Sequence, residues 1–519
     1  MKAPVAARST AAQGARLDNC LQSAIGLLNA LDRERIDEWI EYANEHHHDA
    51  VSSALGNKEA AHGSGSKAPT YSWSQARLVP AHKHDNRYSN IASWDYALLP
   101  GPYLNASLIP PFEPSASPST ASTSSQGSNS GKGKERQAQH YVASQAPVPH
   151  SFPAFFAHLV AQRVRVLVML TPLQERGQPK ADQYWPSSGH GHNYNGHHSH
   201  PHASLGAKLH RLVGGGASAG QQAGAASSAS SKEESSRPSL ELGDSGYAIE
   251  LLDEEELRSG PSSPSQQEQG QQDGKAKSLP GGTTLHLRRI KIHVGPDASP
   301  SLAACQKTSN ASSTTTAHEL VQLHLSSWAD FGADSLETLN VLLDWIDQLQ
   351  HGVQEEESSM SQPPPPPPIW VHCSAGVGRS GTVIAAHILR HIPASASASA
   401  SASALSSSST IDSSNSNNSA LLPDPDAPEQ IFLSELAHLC AREDEDEAES
   451  RARAGARAGA RAGAGAGGKE ERQERMSKDV ETAAILVAHL RRFRPSMVQT
   501  ASQLEMVYTA AAQARQRAV

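Results

Sequence analysis

The residues best suited to chemistry lie in one stretch, WVHCSAGVGRSG, from Trp370 to Gly381. Cys373 stands six positions before Arg379, and Gly376, Gly378 and Gly381 are spaced G-x-G-x-x-G. That glycine spacing alone is the one used by dinucleotide-binding loops, which also need an acidic residue about twenty positions further on to hold a ribose. Here that region is an Ala/Ser repeat near residue 400, without an acid. A dinucleotide loop would also leave Cys373 and Arg379 without a task. A loop that attacks a phosphate uses every residue. Ile369 to His372 is expected to form a buried strand and Ser380 onward a helix, so the turn between them aims successive backbone N–H groups at one anion. The same donors stabilise the Cys373 thiolate and lower its pKa. Arg379 can grip two phosphoryl oxygens at once. Glycines keep side chains out of the space that the phosphate fills.

Thiolate attack on a phosphate monoester expels an alkoxide or phenoxide, which needs a proton from a carboxylic acid elsewhere in the chain. The elements that would bring such groups together are unevenly spread. The chain has 519 residues, of which 5% are aromatic and 19% charged, with a net charge of −9. Long tracts are almost pure Ser, Ala, Gly or Pro and cannot bury enough apolar surface to offset the entropy of ordering them. Residues 1–50 read as an N-terminal tail followed by helical sequence, with Leu21, Ile25, Leu28 and Leu31 at helical spacing. Residues 67–519 read as one domain interrupted by low-complexity inserts at about 113–137, 187–240, 259–282, 296–317, 352–367 and 392–472. VRVLVML, Val164 to Leu170, has the unbroken apolar character of a strand covered on both faces. Strands are expected at 247–252 and 285–294, a helix at 335–350 capped by Asp334 or Ser335, a short helix at 430–442, and two final helices broken at Pro495.

The string VHCSAGVGRSG resembles, without a gap, the HC-x5-R-[ST] signature loop of the classical protein tyrosine phosphatases, and the chain is read as a non-receptor type. SSWADFG (326–332) resembles the family's mobile Trp-Pro-Asp loop, with Trp328 and the general acid Asp330 in place and Ala329 where the family has proline. HDNRYSNIASWD (84–95) resembles its substrate-recognition loop: Tyr88 would stack on the phosphotyrosine ring, and Asn90 stands where the family usually has Asp. TPLQERGQPKADQYWP (171–186) resembles the loop whose Glu pairs with the signature Arg and whose Lys reaches the acid loop, here Glu175 and Lys180. RRFRPSMVQTASQLEMVY (491–508) resembles the closing segment, in which Gln499 positions the hydrolytic water and Gln503 assists. GPYLNASLI (101–109) and YVASQAPVP (141–149) resemble scaffold strings.

The resemblance implies an α/β fold: a highly twisted mixed β-sheet flanked by helices, with long disordered low-complexity insertions. It implies a protein-tyrosine-phosphate phosphohydrolase working through a phosphocysteine on Cys373. Ser374, Ala375, Gly376, Val377 and Gly378 would line the phosphate cradle, Ser380 would stabilise the departing thiolate, and His372 would orient the loop and help keep the thiol ionised. No metal and no cofactor are expected. Two other readings stand beside it: a catalytically weak phosphotyrosine-binding or scaffold protein, suggested by Ala329 and Asn90, and a dual-specificity phosphatase.

Phosphotyrosine-containing proteins, kinases among them, are the expected partners. The charge balance does not point to nucleic acid, and no apolar run reaches the length of a membrane span. The N-terminus lacks the apolar core of a secretory signal. Cys20, Cys305, Cys373 and Cys440 are widely separated, which fits a reducing compartment: cytoplasm, with the nucleus as an alternative. The histidine tract GHGHNYNGHHSHPH and the RAGA repeats read as solvated linkers, and the six prolines 363–368 as a spacer that SH3- or WW-type partners could also recognise.

Overall fold

The computed structural model describes residues 5–45, 71–73, 82–112, 139–187, 238–258, 283–295, 298, 316–330, 332, 334–358, 365–392, 429–441 and 467–516. The histidine tract, the RAGA repeats, Cys305 and most of the expected insert sequence lie outside these residues. The described chain divides into two compact units: Met1–Gln145 with Ala329–Ala333 and His372–Val519, and Ala146–Trp328 with Asp334–Val371.

The first unit is mainly helical. Its central helix, Gly378–His391, is buried from Gly378 through Leu389, its polar Arg379, Ser380, Thr382 and His387 included. It packs against Ala501–Gln516 and Gly467–Phe493. The N-terminal helix Val5–Glu45 packs on the same two helices. Cys20, Leu21, Ala24, Ile25, Leu28 and Leu31 form its buried stripe at helical spacing. Each fully buried leucine there contributes about 1.5–3 kcal/mol of transfer free energy. The tail expected before residue 17 is helical from Val5, in line with the high helix propensity of its alanines. Residues 429–441 form the short helix expected within the last insert. Glu429 there is fully buried, 3.4 Å from Arg35 and 3.7 Å from Arg492. Strands Ala106–Ile109 and Tyr141–Ser144 pair antiparallel.

The second unit is built on a mixed sheet. Strand Ile369–His372, whose first three residues belong to this unit, neighbours Val166–Met169. Val166–Met169 pairs in parallel with Thr316–Leu325. Antiparallel pairings then lead through Thr284–Val294 and Tyr247–Arg258 to Ser239–Glu241. Every residue of Val166–Met169 is buried, whereas Thr284–Val294 alternates between buried and half-buried positions, the pattern of a strand with one wetter face. Helices Phe152–Ala161 and Leu336–Ser358 belong to this unit. Ser335 caps the second of these, its Oγ accepting the Thr338 N–H at 3.0 Å. That helix runs to Ser358 and the edge strand starts at Ser239, so ordered structure extends into both expected inserts. The mixed sheet and flanking helices are those expected from the sequence.

Candidate active site

The chain leaves strand Ile369–His372 and enters helix Gly378–His391 through five residues, and those five form a cradle. Cys373 opens it, buried with 3% exposure, and its Sγ accepts the Gly376 N–H at 3.2 Å. Burial raises the pKa of this thiol. The Arg379 guanidinium, the Ser380 hydroxyl and the Ser380 and Gly376 amides outweigh it, and the net shift is downward. Ser380 Oγ is itself buried and has no partner of ordinary hydrogen-bond geometry.

Two glycines of the turn are dictated by space. Gly376 has φ +74°, and a Cβ on it would run into the Ser144 carbonyl. A Cβ on Gly378 would lie 2.8 Å from Gln499 Oε1 and 3.0 Å from Gln503 Nε2. The two glutamines therefore sit directly over the start of helix Gly378–His391. Gly376→Ala is expected to lose about 1–3 kcal/mol of stability through backbone strain alone, more through the Ser144 clash, and to lose anion binding with it. Thermal unfolding with and without vanadate measures both; a variant that vanadate stabilises as well as wild type would refute the cradle's need for glycine.

Arg379 is 1% exposed and donates from its terminal nitrogen to Asp330 Oδ1 at 3.0 Å. The expected acid therefore stands at the cradle. Asp330 lies on a turn that the Gly332 N–H closes onto the Ala329 carbonyl at 3.3 Å, with Ala329 exposed. Tyr88 reaches the same place: its hydroxyl and Ser374 Oγ lie 2.8 Å apart. Asn90, two residues on, is exposed.

The loop of Tyr88 is held by residues that sequence reading assigned only to scaffold. Gln145 Oε1 accepts the Arg87 N–H at 2.8 Å, and Gln145 Nε2 donates to the Asp85 carbonyl at 2.6 Å. Asn86 Oδ1 accepts from Tyr103 and from Asn105, at 2.8 and 2.7 Å. The cradle has a similar hidden support in Arg494, which is fully buried. It donates to the Gly376 carbonyl and the Ala375 carbonyl, each at 2.8 Å, and to Ser93 Oγ at 2.9 Å. These bonds turn the peptide carbonyls outward, which leaves the loop's N–H groups for an anion. Burial lowers the Arg494 pKa to about 10, with the Cys373 thiolate opposing that shift, so the guanidinium stays charged at neutral pH.

The His372 ring donates from Nδ1–H to the Cys373 carbonyl at 3.1 Å, and burial pushes its pKa down to about 4. The ring is neutral near pH 7, so any help it gives the thiolate comes through its bond to the loop and not through a positive charge. Gln499 donates its backbone N–H to Gln503 Oε1 at 2.8 Å, and Gln503 is buried. Trp328, Glu175 and Lys180 belong to the second unit. Trp328 is buried, Glu175 is half-buried in the two-residue ladder Gln174–Glu175 with Gln178–Pro179, and Lys180 follows that ladder with its N–H on the Leu173 carbonyl at 2.8 Å.

Cys373, Ser374, Ala375, Gly376, Val377, Gly378, Arg379 and Ser380 thus form a single turn, and Tyr88, Asp330, Gln499 and Gln503 meet it in the same unit. The family model described as protein-tyrosine phosphatase matches residues 82–202 and 280–402, which include Tyr88, Asp330 and the whole cradle. A tyrosine-protein phosphatase Lar-like protein of Caenorhabditis elegans is 30% identical over 117 residues, 21% of this chain and 4% of that protein. Tyrosine-protein phosphatase 99A of Drosophila melanogaster is 30% identical over 120 residues, 21% of this chain and 8% of that protein. Receptor-type tyrosine-protein phosphatase S of Gallus gallus is 29% identical over 128 residues, 23% of this chain and 7% of that protein. The matched part of this chain therefore spans less than a tenth of each of these relatives. The cradle, the matching family model and these relatives together place the chain in the protein-tyrosine phosphatase family.

Proposed function

We propose that the chain hydrolyses phosphotyrosine in proteins through a covalent phosphocysteine on Cys373. The observation that carries the reading is the meeting of a thiol of lowered pKa, a buried arginine and a carboxylate around one turn of backbone amides. In the first step the Cys373 thiolate attacks phosphorus, an S–P bond forms, and the bond from phosphorus to the phenolic oxygen breaks. Asp330 gives its proton to that oxygen. Arg379 and the loop amides hold the three non-bridging oxygens, where negative charge is concentrated. In the second step a water placed by Gln499 attacks phosphorus, Asp330 takes its proton, and the S–P electron pair returns to sulfur. The Ser380 hydroxyl, buried and without another partner, supports the returning thiolate.

Tyr88 supports a phosphotyrosine substrate. Its hydroxyl lies against Ser374 and sets the ring beside the cradle, and an aromatic wall there suits a phenyl phosphate better than the shorter phosphoserine or phosphothreonine. The test is hydrolysis of matched phosphotyrosine, phosphothreonine and phosphoserine peptides by the full chain with chelator present. Phosphotyrosine is expected to be preferred by at least about 10²-fold in kcat/KM. Comparable rates on all three would establish the dual-specificity reading instead. Tight phosphotyrosine binding without turnover would establish the binding-protein reading, which Ala329 and the exposed, uncharged Asn90 favour. Cytosolic or nuclear placement, with phosphotyrosine-bearing partners, is proposed together with this activity.

A further inference from the structure

The N-terminal helix Val5–Glu45 carries an acid into the backbone that precedes Gln499. Asp32 is buried, and its Oδ2 accepts from Arg491 at 3.0 Å and from the Ser496 N–H at 2.7 Å. Arg491 is fully buried and spends its other donors on the same short segment. Its Nε donates to the Met497 carbonyl at 2.9 Å and its second terminal nitrogen to the Val498 carbonyl at 2.8 Å. Asn29, one turn before Asp32, accepts a further bond from Arg491 at 3.1 Å. Ser496, Met497 and Val498 are therefore each gripped by one acid–arginine pair.

This segment would not hold its shape unaided. Ser496 has φ 63° and Val498 φ 58°. A β-branched residue in that region is strained, and such strain persists only where the surroundings over-determine it. The Val498 N–H donates to the Val377 carbonyl at 3.3 Å, which ties the segment to the cradle. The next residue is Gln499, whose side chain lies over Gly378.

We infer that Asp32 is a positioning residue for hydrolysis of the phosphoenzyme: with Arg491 it fixes the strained Ser496–Val498 backbone that aims Gln499 at the attacking water. The inference rests on the phosphatase function proposed above. Cys373 takes its bond from the Gly376 N–H and Arg379 pairs with Asp330, neither with Ser496–Val498, so the first chemical step should be spared. A purely structural acid would have no such selectivity, because loss of folded protein lowers both steps together.

The test is stopped-flow and steady-state hydrolysis of p-nitrophenyl phosphate by full-length wild type and Asp32→Asn, with acid quenching to trap labelled phosphoenzyme. Asparagine keeps an acceptor for Ser496 but loses the charge opposite Arg491. The variant is expected to show kcat lowered about tenfold with kcat/KM within about twofold, since kcat/KM reports only the steps through loss of nitrophenol. Its burst should approach one nitrophenol per enzyme and its trapped phosphoenzyme should rise. Arg491→Lys, which keeps the charge facing Asp32 but cannot reach both carbonyls, should shift the same readouts the same way. It decides the matter if Asp32→Asn does not fold. Equal losses in kcat and kcat/KM, or no change in either, would overturn the inference. A wild type without Cys373-dependent turnover would instead overturn the proposed function, and is seen before any Asp32 variant is run.

Discussion

Cys373→Ser is expected to lower kcat by at least about 10⁴-fold, the order of loss seen when a covalent nucleophile is removed from a working constellation. The argument is electrostatic. The cradle lowers the pKa of a thiol that burial alone would raise, through Arg379, Ser380 and the Gly376 amide. A serine hydroxyl starts so far above the thiol that the same donors cannot ionise it. The anion site survives the change, because Arg379, the turn amides and the supports from Arg494 are untouched. Affinity for a phosphotyrosine peptide should therefore stay within about tenfold of wild type, as expected when an interaction made only in the transition state is lost. Isothermal titration and single-turnover kinetics measure the two quantities separately. A serine variant that still turns over at a tenth of the wild-type rate would remove Cys373 from the mechanism. The lowered pKa has its own readout: alkylation of Cys373 should reach half its maximal rate at a pH below that of an ordinary thiol. His372, neutral at pH 7 with its pKa near 4, should leave that midpoint unmoved in a His372→Asn variant that keeps the bond to the Cys373 carbonyl.

The parts of the site that were legible in the sequence share a physical property: their chemistry is carried by neighbours along the chain. A thiol, an arginine and three glycines must lie within one turn to make a cradle, so the requirement is written as a contiguous string. Tyr88 and Asp330 were legible through their local strings as well, and the structure brings both to the cradle. Arg494 was not legible. RRFR holds three arginines of identical appearance, and only the fold sends Arg494 to carbonyls 118 and 119 residues away while Arg491 meets Asp32 at a separation of 459. Charge was the other blind spot. His372 beside a nucleophilic cysteine was expected to orient the loop and help keep the thiol ionised, and its complete burial makes it neutral. Element boundaries failed where ordered structure meets low-complexity sequence. The alanine-rich start of the N-terminal helix and the Glu/Ser end of helix Leu336–Ser358 have the composition of linkers, yet both are helical because they extend elements that the core already holds.

Asp330→Asn is expected to lower kcat on a phosphotyrosine peptide by about 10²–10⁴-fold, the usual contribution of a positioned general acid. Asp330 Oδ1 accepts from Arg379 at 3.0 Å. A bound phosphoryl group competes for the same guanidinium donors, because Arg379 is buried and a phosphoryl dianion attracts a guanidinium more strongly than one carboxylate does. Substrate binding thereby detaches Asp330 from the arginine and leaves it beside the oxygen that must be protonated. Asparagine can still accept from Arg379 but has no proton to give, so binding should be kept and the chemical step lost. One signature separates this from general damage. The loss should shrink as the leaving group improves, from tyrosine to nitrophenol to a dinitrophenol, because a more acidic phenol departs without a proton. Ala329 makes this the most informative substitution in the protein. The turn bearing Asp330 is closed by the bond from the Gly332 N–H to the Ala329 carbonyl, without the fixed φ that a proline would supply. If the looser turn already leaves Asp330 out of reach of the leaving oxygen, Asp330→Asn will cost less than about tenfold whatever the leaving group, and the wild-type enzyme will itself favour acidic phenols. A large loss that falls with leaving-group acidity means that the pairing with Arg379, rather than a stiff loop, brings the acid to its place.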